Sequence, residues 1–423
     1  MEQVRHLWNN PFLRHNLIFF AGAVAVGALN YLYYPVLGRL LNPEAFGEVQ
    51  VLVSFFLQLA IFLNVFSMIT INIVANYKDS EKAQRAVYEL EKLALLISIV
   101  VLLVVITCSD VLRQTFQFES GWPFIILAIS LVVSVPFTFR TAFLRATKKF
   151  GQTSFANLIS AGGKLIFSVL FVLLGLSTLG AIGGLVAAQI VALGYAIAMA
   201  RRAGLVKYKY YFRKLHVPSV VPELKYALLV FIGSSVITLL FSVDSLVVKY
   251  LFDPETAGHY GGISTVARIV FFLTASIAQV LLPSITLTQT SKQNRSVLYK
   301  SLALTTGVSL PILLVSLCFP NQLIVLLMGQ TYLPFAHLLP PLTLAIFIIS
   351  IANLLVLYHV ALRRWGVAIG VILGAVVTLG LMFVNNKHPE DIVNNLLIGS
   401  MTLTLVLSAW MLTLLPKRNR KAQ

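Results

Sequence analysis

The chain has 423 residues, of which 58% are hydrophobic and only 11% carry a charged side chain. A mean hydropathy of +0.88 excludes a water-soluble globular protein and indicates a membrane protein. The formal net charge of +17 does not indicate nucleic-acid binding, because the basic residues follow the short connections between long apolar runs.

Apolar runs long enough to cross a bilayer recur along the whole chain. A hydrocarbon core of about 30 Å requires about 20 helical residues at roughly 1.5 Å per residue. Such runs lie near 17–39, 48–74, 93–109, 122–144, 152–174, 178–200, 225–251, 261–289, 301–319, 335–359, 366–384 and 393–415. Because no backbone polar group can stay unpaired in lipid, we predict an all-α integral membrane protein with twelve transmembrane helices.

The basic residues orient these spans. With the amino terminus placed in the cytoplasm, most Lys and Arg residues fall on the inner side, as the positive-inside rule requires. The exceptions are Arg39, Arg113, Lys249 and Lys387 on the outer side and Lys164 and Arg268 within spans. We therefore predict a multi-pass protein of the cytoplasmic (inner) membrane of a prokaryote, with both termini in the cytoplasm.

A short motif occurs twice, about half the chain length apart. The first copy is Asn42-Pro43-Glu44 with Gly47, and the second is Asp253-Pro254-Glu255 with Gly258. Each is typical of a helix start, because Asn or Asp caps a helix, Pro fits its first position and Glu favours the positive end of its dipole. We interpret each copy as an outer turn, the alternative being direct contact with a substrate.

The two copies predict two parallel repeats of six spans each. A basic and aromatic stretch, "RRAGLVKYKYYFRKLHVP", separates them. We accordingly predict an amino-terminal six-helix bundle at residues 1–211 and a carboxy-terminal six-helix bundle at residues 212–423. Prolines inside spans are predicted bending points; they are Pro35, Pro136, Pro283 and Pro311.

Ionisable residues inside spans indicate a structural or functional role, since inserting a charged residue at the centre of a membrane helix costs about 2.5–3.5 kcal/mol. Lys164 lies beside Gly162 and Gly163, roughly 18 Å from either end of span 5, and we interpret it as lining a cavity. The alternative is a pair with an internal carboxylate. Asp244 in span 7 and Arg268 in span 8 lie at similar depth, either as an ion pair or facing a central cavity.

Polar stripes follow the repeated motif on spans 2 and 8. With 100° per residue, one stripe within about 60° on span 8 holds Ser264, Arg268, Gln279 and Thr286. The other, within about 80° on span 2, holds Gln50, Ser54, Gln58, Asn72 and Asn76. Such stripes are either hydrogen-bonded seams between helices or two walls of one polar cleft.

Most charged residues within or bordering the spans are basic. They are Arg39, Arg140, Lys164, Lys249 and Arg268, against Asp110 and Asp244. Arg39, Arg140 and Lys249 stand at span ends, and each alone is interpreted as an interface anchor. A basic cleft suits a phosphate or diphosphate, whereas an exporter of cationic drugs requires buried carboxylates.

The energy source is open at this level. No GxxxxGK[ST] phosphate loop occurs, so we expect no direct ATP hydrolysis, and we predict no cofactor and no metal. Asp244 is the carboxylate well inside a predicted span and is therefore the candidate for ion coupling.

Three longer stretches carry a family resemblance. They read "PVLGRLLNPEAFGEVQVLVSFF", "VDSLVVKYLFDPETAGHYGGISTVARIVFFL" and "FLRATKKFGQTSFANLISAGGKLIF". They resemble the polysaccharide-repeat-unit (oligosaccharide/O-antigen) flippases of the multidrug/oligosaccharidyl-lipid/polysaccharide exporter superfamily. The resemblance implies two six-helix bundles around a central cleft, lined by spans 1, 2, 7 and 8, that opens alternately to each side.

The resemblance also implies a function. A member of this family flips a polyprenyl-diphosphate-linked oligosaccharide across the membrane for cell-surface polysaccharide biosynthesis, and basic residues on the lining helices hold the diphosphate. The resemblance implies this role for Arg268 and Arg39. Lys164 is a further candidate for substrate binding because of its burial. Gln58 and Gln279 are candidates because they lie on the polar stripes. The expected partners are the lipid-linked glycan, membrane lipid and a glycan polymerase or glycosyltransferases, with no nucleic acid.

Three alternatives stay open. A peptidoglycan-precursor lipid flippase is the nearest, although members of that branch usually carry two further carboxy-terminal spans. A drug/cation antiporter of the same fold is disfavoured by the basic residues. A membrane enzyme is not expected, because the longest outer connection, 320–334, has no Asp, Glu, Arg or Lys.

Overall fold

The computed structural model describes residues 11–76, 80–205, 221–285 and 290–413. In these ranges every regular element is a helix. The amino-terminal ones are α1 Pro11–Leu40, α2 Pro43–Asn76, α3 Ser80–Thr115, α4 Trp122–Ala146, α5 Phe150–Phe171 and α6 Ser177–Arg202, with a π-helical turn, Val172–Leu176, between the last two. The others are α7 Val221–Leu251, α8 Pro254–Ala267, α9 Ile269–Ser284, α10 Ser291–Cys318, α11 Pro320–Leu327, α12 Leu339–Ala361, α13 Gly366–Val384 and α14 Pro389–Thr413, with a 3-10 helix at Gln330–Leu338.

Many of these helices are long and apolar enough to cross a membrane. The described residues contain nine such helical segments, or up to ten if the bent pair α8 and α9 forms one span. In that count α5 and α6 are a single segment, because the π-helical turn joins them into Phe150–Arg202. Each predicted span overlaps a helix. The all-α membrane fold is confirmed, while the twelve-span layout in two repeats stays a prediction.

The repeated motif starts α2 and α8, as predicted. The Oδ1 atom of Asn42 accepts a hydrogen bond from the Ala45 N–H at 2.9 Å. The Oδ1 atom of Asp253 accepts the equivalent bond from the Thr256 N–H, also at 2.9 Å. The proline that follows each cap occupies the first helical position. Both side chains satisfy a backbone donor that no helical carbonyl can reach.

The described helices separate into two compact units. Unit 1 takes the described residues of Met1–Ala227 together with Phe252–Gly262 and Leu327–Tyr332, and unit 2 takes Leu228–Leu251, Ile263–Leu326 and the described residues of Leu333–Gln423. The predicted bundle boundary between residues 211 and 212 lies outside the described residues. The division at that point stays a prediction.

Apolar side chains from α2, α3 and α4 form a core in unit 1. Leu63 and Ile69 of α2, Val87 of α3, and Leu131 and Phe139 of α4 are all buried in it. The helices α5 and α6 pack extensively against each other. Burial of this kind fixes which face of each helix turns inward and thereby positions the polar residues that share those faces.

The two copies of the repeated motif meet inside unit 1. A Cβ atom built on Gly47 would lie 3.0 Å from the Cα of Gly258, and a Cβ atom built on Gly258 would overlap the carbonyl group of Pro43. The start of α2 therefore crosses the start of α8 with backbone against backbone. Only glycine allows two helices to approach this closely.

Candidate functional site

A charged cluster in unit 2 joins α7 to the junction of α8 and α9. An Nη atom of Arg268 lies 2.7 Å from Oδ1 of Asp244 and 2.9 Å from the hydroxyl of Ser245. The Ser264 hydroxyl donates to the other carboxylate oxygen of Asp244 at 2.8 Å. The guanidinium carbon of Arg268 also lies 5.1 Å from the ring centre of Phe241. Both carboxylate oxygens of Asp244 thus accept hydrogen bonds.

This cluster is buried and coincides with a break in the helix. The side chains of Arg268 and Asp244 are 6% and 0% exposed. The helices α8 and α9, which end and begin on either side of Arg268, bend by 41°. The interpretation of Asp244 and Arg268 as an ion pair agrees with this geometry. Their roles in substrate binding and ion coupling stay predictions.

A second basic site lies in unit 1, where α5 faces α1. The Nζ atom of Lys164 donates to Oδ1 of Asn30 at 2.8 Å and lies 4.2 Å from the ring centre of Tyr33 and 6.0 Å from that of Tyr34. The Tyr33 hydroxyl donates to the Ala181 carbonyl at 3.2 Å, which fixes the ring under the ammonium group. The contacts of Lys164 in the described part of the chain are therefore all with neutral groups.

The electrostatics of the two basic sites differ. The charge of Arg268 is balanced by Asp244 at contact distance. The charge of Lys164 is held by an amide oxygen and two aromatic rings, which stabilise an ammonium group without neutralising it. The alternative interpretation of Lys164, a pair with an internal carboxylate, does not agree with these contacts. A half-buried positive charge of this kind can accept an anionic ligand.

A buried ion pair in unit 1 was missing from the sequence interpretation. Arg140 on α4, interpreted as an interface anchor, donates to Oε2 of Glu91 on α3 at 2.9 Å and lies 5.4 Å from the ring of Tyr88. The Arg140 and Glu91 side chains are 5% and 0% exposed, so the anchor interpretation is wrong. Glu91 was overlooked because span 3 was predicted to begin at residue 93, whereas α3 begins at Ser80. The signal was the stretch 80–92, which continues the helix without Gly or Pro.

The other basic residues at span ends have contrasting surroundings. Arg39 is exposed at the end of α1, and its Nε atom donates to the Leu327 carbonyl at 3.3 Å. This position agrees with an anchor, and a substrate contact by Arg39 stays a prediction. Lys249 on α7 is only 1% exposed, so its interpretation as an anchor is wrong, because an anchor must reach the interface.

The polar stripes divide between the units. Gln50 and Ser54 on α2 are buried, and the Ser54 hydroxyl donates to the Gln50 carbonyl at 2.8 Å. Gln58 is partly buried on the same helix. On the second stripe Ser264 and Arg268 both bind Asp244, which agrees with a hydrogen-bonded seam. The side chains of Gln279, Thr286 and Asn76 lie outside the described residues.

The structure therefore brings together two of the predicted site residues, Asp244 and Arg268, in unit 2. It places Lys164, Arg39 and Gln58 in unit 1. The partners Asn30, Tyr33 and Ser245 were not predicted, and only the pairing of helices distant in sequence reveals them.

This fold is shared with solved membrane transporters. An inward-facing multidrug resistance MATE family transporter of the MOP superfamily matches 94% of this chain and 97% of its own, with a TM-score of 0.69 and 12% identity. The lipid II flippase MurJ in an inward closed conformation matches 96% of this chain and 88% of its own, with a TM-score of 0.72 and 14% identity. The match to the eukaryotic MATE transporter AtDTX14 covers 96% of this chain and 97% of the AtDTX14 chain, with a TM-score of 0.66 and 16% identity. At these identities the likeness establishes the fold alone, an all-helical multi-pass membrane fold.

The sequence itself establishes the family. A family model described as polysaccharide biosynthesis protein matches residues 12–289. The match covers more than half of the chain, which therefore belongs to this family. A comparison with curated proteins gives no match. The resemblance to polysaccharide flippases that the sequence motifs carry is confirmed.

Proposed function

We propose that this protein flips a polyprenyl-diphosphate-linked oligosaccharide across the cytoplasmic membrane by alternating access, as a step in cell-surface polysaccharide biosynthesis. The family match over residues 12–289 and the transporter fold support a flippase. The nature of the substrate is proposed from the site. The protein acts in this proposal as a transporter and not as an enzyme.

One observation carries the choice of an anionic substrate. Lys164 lies in a membrane-crossing helix, and its described contacts, Asn30, Tyr33 and Tyr34, leave its positive charge without an acidic counterpart. Carrying such a charge in a membrane is costly unless a ligand uses it. A phosphate oxygen suits the ammonium group, and the rings suit a sugar or an isoprenoid face.

The physical problem for the transporter is the glycan head. A charged and heavily hydroxylated group must pass about 30 Å of hydrocarbon, where each unpaired polar group is strongly unfavourable. A cleft that opens first to one side and then to the other allows the head to cross in a polar environment while the polyprenyl tail stays in lipid. In this proposal Lys164 holds a phosphate, and Arg39, Gln58 and Gln279 contribute further contacts.

The Asp244–Arg268 pair suggests how binding is coupled to an ion. Each oxygen of Asp244 accepts a hydrogen bond, from Arg268 or from Ser264, and the positive charge of Arg268 disfavours a cation beside this carboxylate in this conformation. If the substrate draws Arg268 away, Asp244 gains a free oxygen and can take a proton or sodium ion. Arg268 then serves as a substrate ligand in one state and as the partner of Asp244 in the other.

The proposal includes the finer topology. Twelve spans in two six-helix repeats, with both termini in the cytoplasm, account for the distribution of basic residues along the chain. The lipid-linked glycan is the expected substrate, supplied by glycosyltransferases and used by a glycan polymerase. Membrane lipid surrounds the helices.

Deleting the gene tests the function. We expect a lipid-linked oligosaccharide to accumulate on the cytoplasmic leaflet and surface glycan to disappear, measured by extraction of lipid-linked sugars and glycan staining. Accumulation of a peptidoglycan precursor instead would identify the alternative flippase. Unchanged lipid-linked sugars together with sensitivity to cationic drugs would identify a drug antiporter.

Complementation with Lys164 variants tests the site. Lys164→Gln is expected to lower transport by about 10- to 100-fold, since a hydrogen bond to a charged group contributes roughly 1.5–3 kcal/mol. Lys164→Arg keeps the charge and should restore part of the activity. Arg202→Gln, at an exposed helix end, is the matched control for loss of one charge. Full transport by Lys164→Gln at normal protein levels would show that this lysine does not bind the substrate.

A further inference from the structure

The first turns of α10 carry a basic face that the proposed function does not use. This face includes Lys292, Arg295, Ser296, Tyr299 and Lys300, and it is the described wall of an open cleft of about 750 Å³. These positions recur at intervals of three and four residues, so they lie on one side of the helix. None of the described ion pairs of the chain involves Lys292, Arg295 or Lys300.

The opposite face of α10 identifies which way the cleft points. Asn294 and Leu298 are buried, and they lie on the side of the helix that packs against the rest of unit 2. Tyr299 is 56% exposed on the cleft side. The basic face is therefore turned away from the protein core and is accessible from outside unit 2.

The same side of α10 continues as a surface suited to lipid tails. Leu310, Leu314 and Leu317 follow the basic face at helical intervals, and all of them are exposed. Gly307, between the two regions, has no atom within 4 Å of a Cβ built on it, which leaves open space along the helix. The charged cleft and the apolar side chains thus form one continuous strip, polar at one end and apolar along the rest.

We propose that this strip binds an anionic phospholipid, with its phosphate in the cleft and its acyl chains along the exposed leucines. Three positive charges that take part in none of the described ion pairs complement an anionic headgroup, because each basic residue near a charged membrane surface contributes favourably. A tyrosine at the boundary suits the headgroup level, where aromatic residues are enriched. From Lys300 to Leu310 the helix rises roughly 15 Å, which matches the distance from a phosphate into the acyl region. This inference does not depend on the identity of the transported substrate.

A binding experiment on the purified full-length protein tests the proposal. The probe is a fluorescent phosphatidylglycerol in detergent, titrated with protein and followed by fluorescence anisotropy. We expect the variant Lys292→Gln, Arg295→Gln, Lys300→Gln to weaken binding by more than about tenfold. The wild type should lose affinity as the salt concentration rises from 0.1 M to 1 M, because added ions screen exposed charges.

Matched controls separate a local site from general charge. The variant Lys148→Gln, Lys149→Gln, Arg202→Gln removes the same charge elsewhere and should bind phosphatidylglycerol within about twofold of wild type. A phosphatidylcholine probe should bind all proteins weakly and equally. Single substitutions, each giving a partial loss, keep the test valid if the triple variant fails to fold.

Several results would overturn the proposal. These are unchanged affinity in the triple variant, an equal loss in the control variant, or displacement of the probe by soluble glycerol phosphate at the same concentration. The last result would indicate a site for a free phosphate group and not for a lipid.

Discussion

The basic side chains within the membrane-crossing helices differ in what balances them. Arg140 and Arg268 each face a buried carboxylate, whereas Lys164 faces an amide and two aromatic rings. Removing an arginine from a buried pair leaves the carboxylate without its partner, which is more damaging than removing both. Among the described residues, Lys164 contacts no carboxylate that depends on it, so its substitution reports on function more directly.

Arg268→Ala is expected to lower the free energy of unfolding by about 3–5 kcal/mol, because Asp244 then stays buried without a counter-charge. The double variant Asp244→Ala, Arg268→Ala should be more stable than Arg268→Ala alone. Thermal unfolding of the purified proteins in detergent measures both. We also expect that Arg268→Ala does not restore surface glycan to a deletion strain.

The double variant distinguishes a structural from a direct role. Because Asp244 is itself a proposed coupling residue, Asp244→Ala is the reference at matched protein levels: if Arg268 binds the substrate, the double variant transports less than Asp244→Ala even though its stability recovers. Recovery of both stability and transport would mean that Arg268 acts only through Asp244.

The cap of α8 gives a dependence on pH. The N–H of Thr256 donates to Asp253, and this backbone hydrogen bond holds the pKa of that carboxyl below its usual value. A lowered pKa in the folded state means that the ionised cap stabilises the protein at neutral pH and loses this contribution as the pH falls below about 4. Because Asp253 is exposed, solvent limits the effect to about a few tenths of a kcal/mol.

Asp253→Asn isolates that charge. Asparagine accepts the same hydrogen bond, as Asn42 does at the equivalent position of α2. The unfolding midpoint of this variant should be slightly lower than that of the wild type at pH 7, and the difference should shrink as the pH falls toward 3. A difference that does not shrink over this range would show that the charge of Asp253 is not its cause. Asp253→Ala, which lacks the acceptor, should be less stable by about 1 kcal/mol.

At the scale of the elements, the approximate centres of the long apolar helices follow from the sequence, whereas their number, their ends and their breaks do not. The length of an apolar run predicts a membrane span, but it does not indicate where the helix continues through polar residues, as α3 does from Ser80. The bend at Arg268 has no proline, and Pro35, Pro136 and Pro311 lie inside uninterrupted helices. The bend coincides with an ion pair to another helix, and such a tertiary contact leaves no local pattern.

The candidate site shows the same division. Its charged members stand out in an apolar sequence because each requires a reason to be there. Their partners do not stand out. Asn30, which binds Lys164, is an ordinary polar residue of α1, and only the packing of α1 against α5 assigns it a role.

The crossing of α2 and α8 predicts a sharp contrast between two glycines. Gly258→Ala places a Cβ atom against the Pro43 carbonyl, and the required shift should destabilise the protein by about 1–3 kcal/mol. Gly194→Ala in α6 meets nothing within 4 Å and should be neutral or stabilising by up to about 1 kcal/mol. Unfolding midpoints of the two variants provide the comparison. Equal effects would mean that α2 and α8 do not cross closely in the folded protein.

For the whole molecule, the twelve-span layout predicts which connections are accessible from each side. In a background with Cys108 and Cys318 replaced by serine, Ser120→Cys should react with a membrane-impermeant thiol reagent added to intact cells. Lys148→Cys should react only after the membrane is opened, because the next connection lies on the inner side. Labelling of both residues from outside would contradict the proposed topology.

The contact between Gly47 and Gly258 gives the two copies of the short motif a physical reason to resemble each other. Equivalent positions of the two copies touch each other there, as equivalent residues do on the two-fold axis of a homodimer. A larger side chain in one copy would collide with the backbone of the other, so each copy limits which residues the other can carry. At this motif both copies must therefore keep a residue without a side chain at the point of contact.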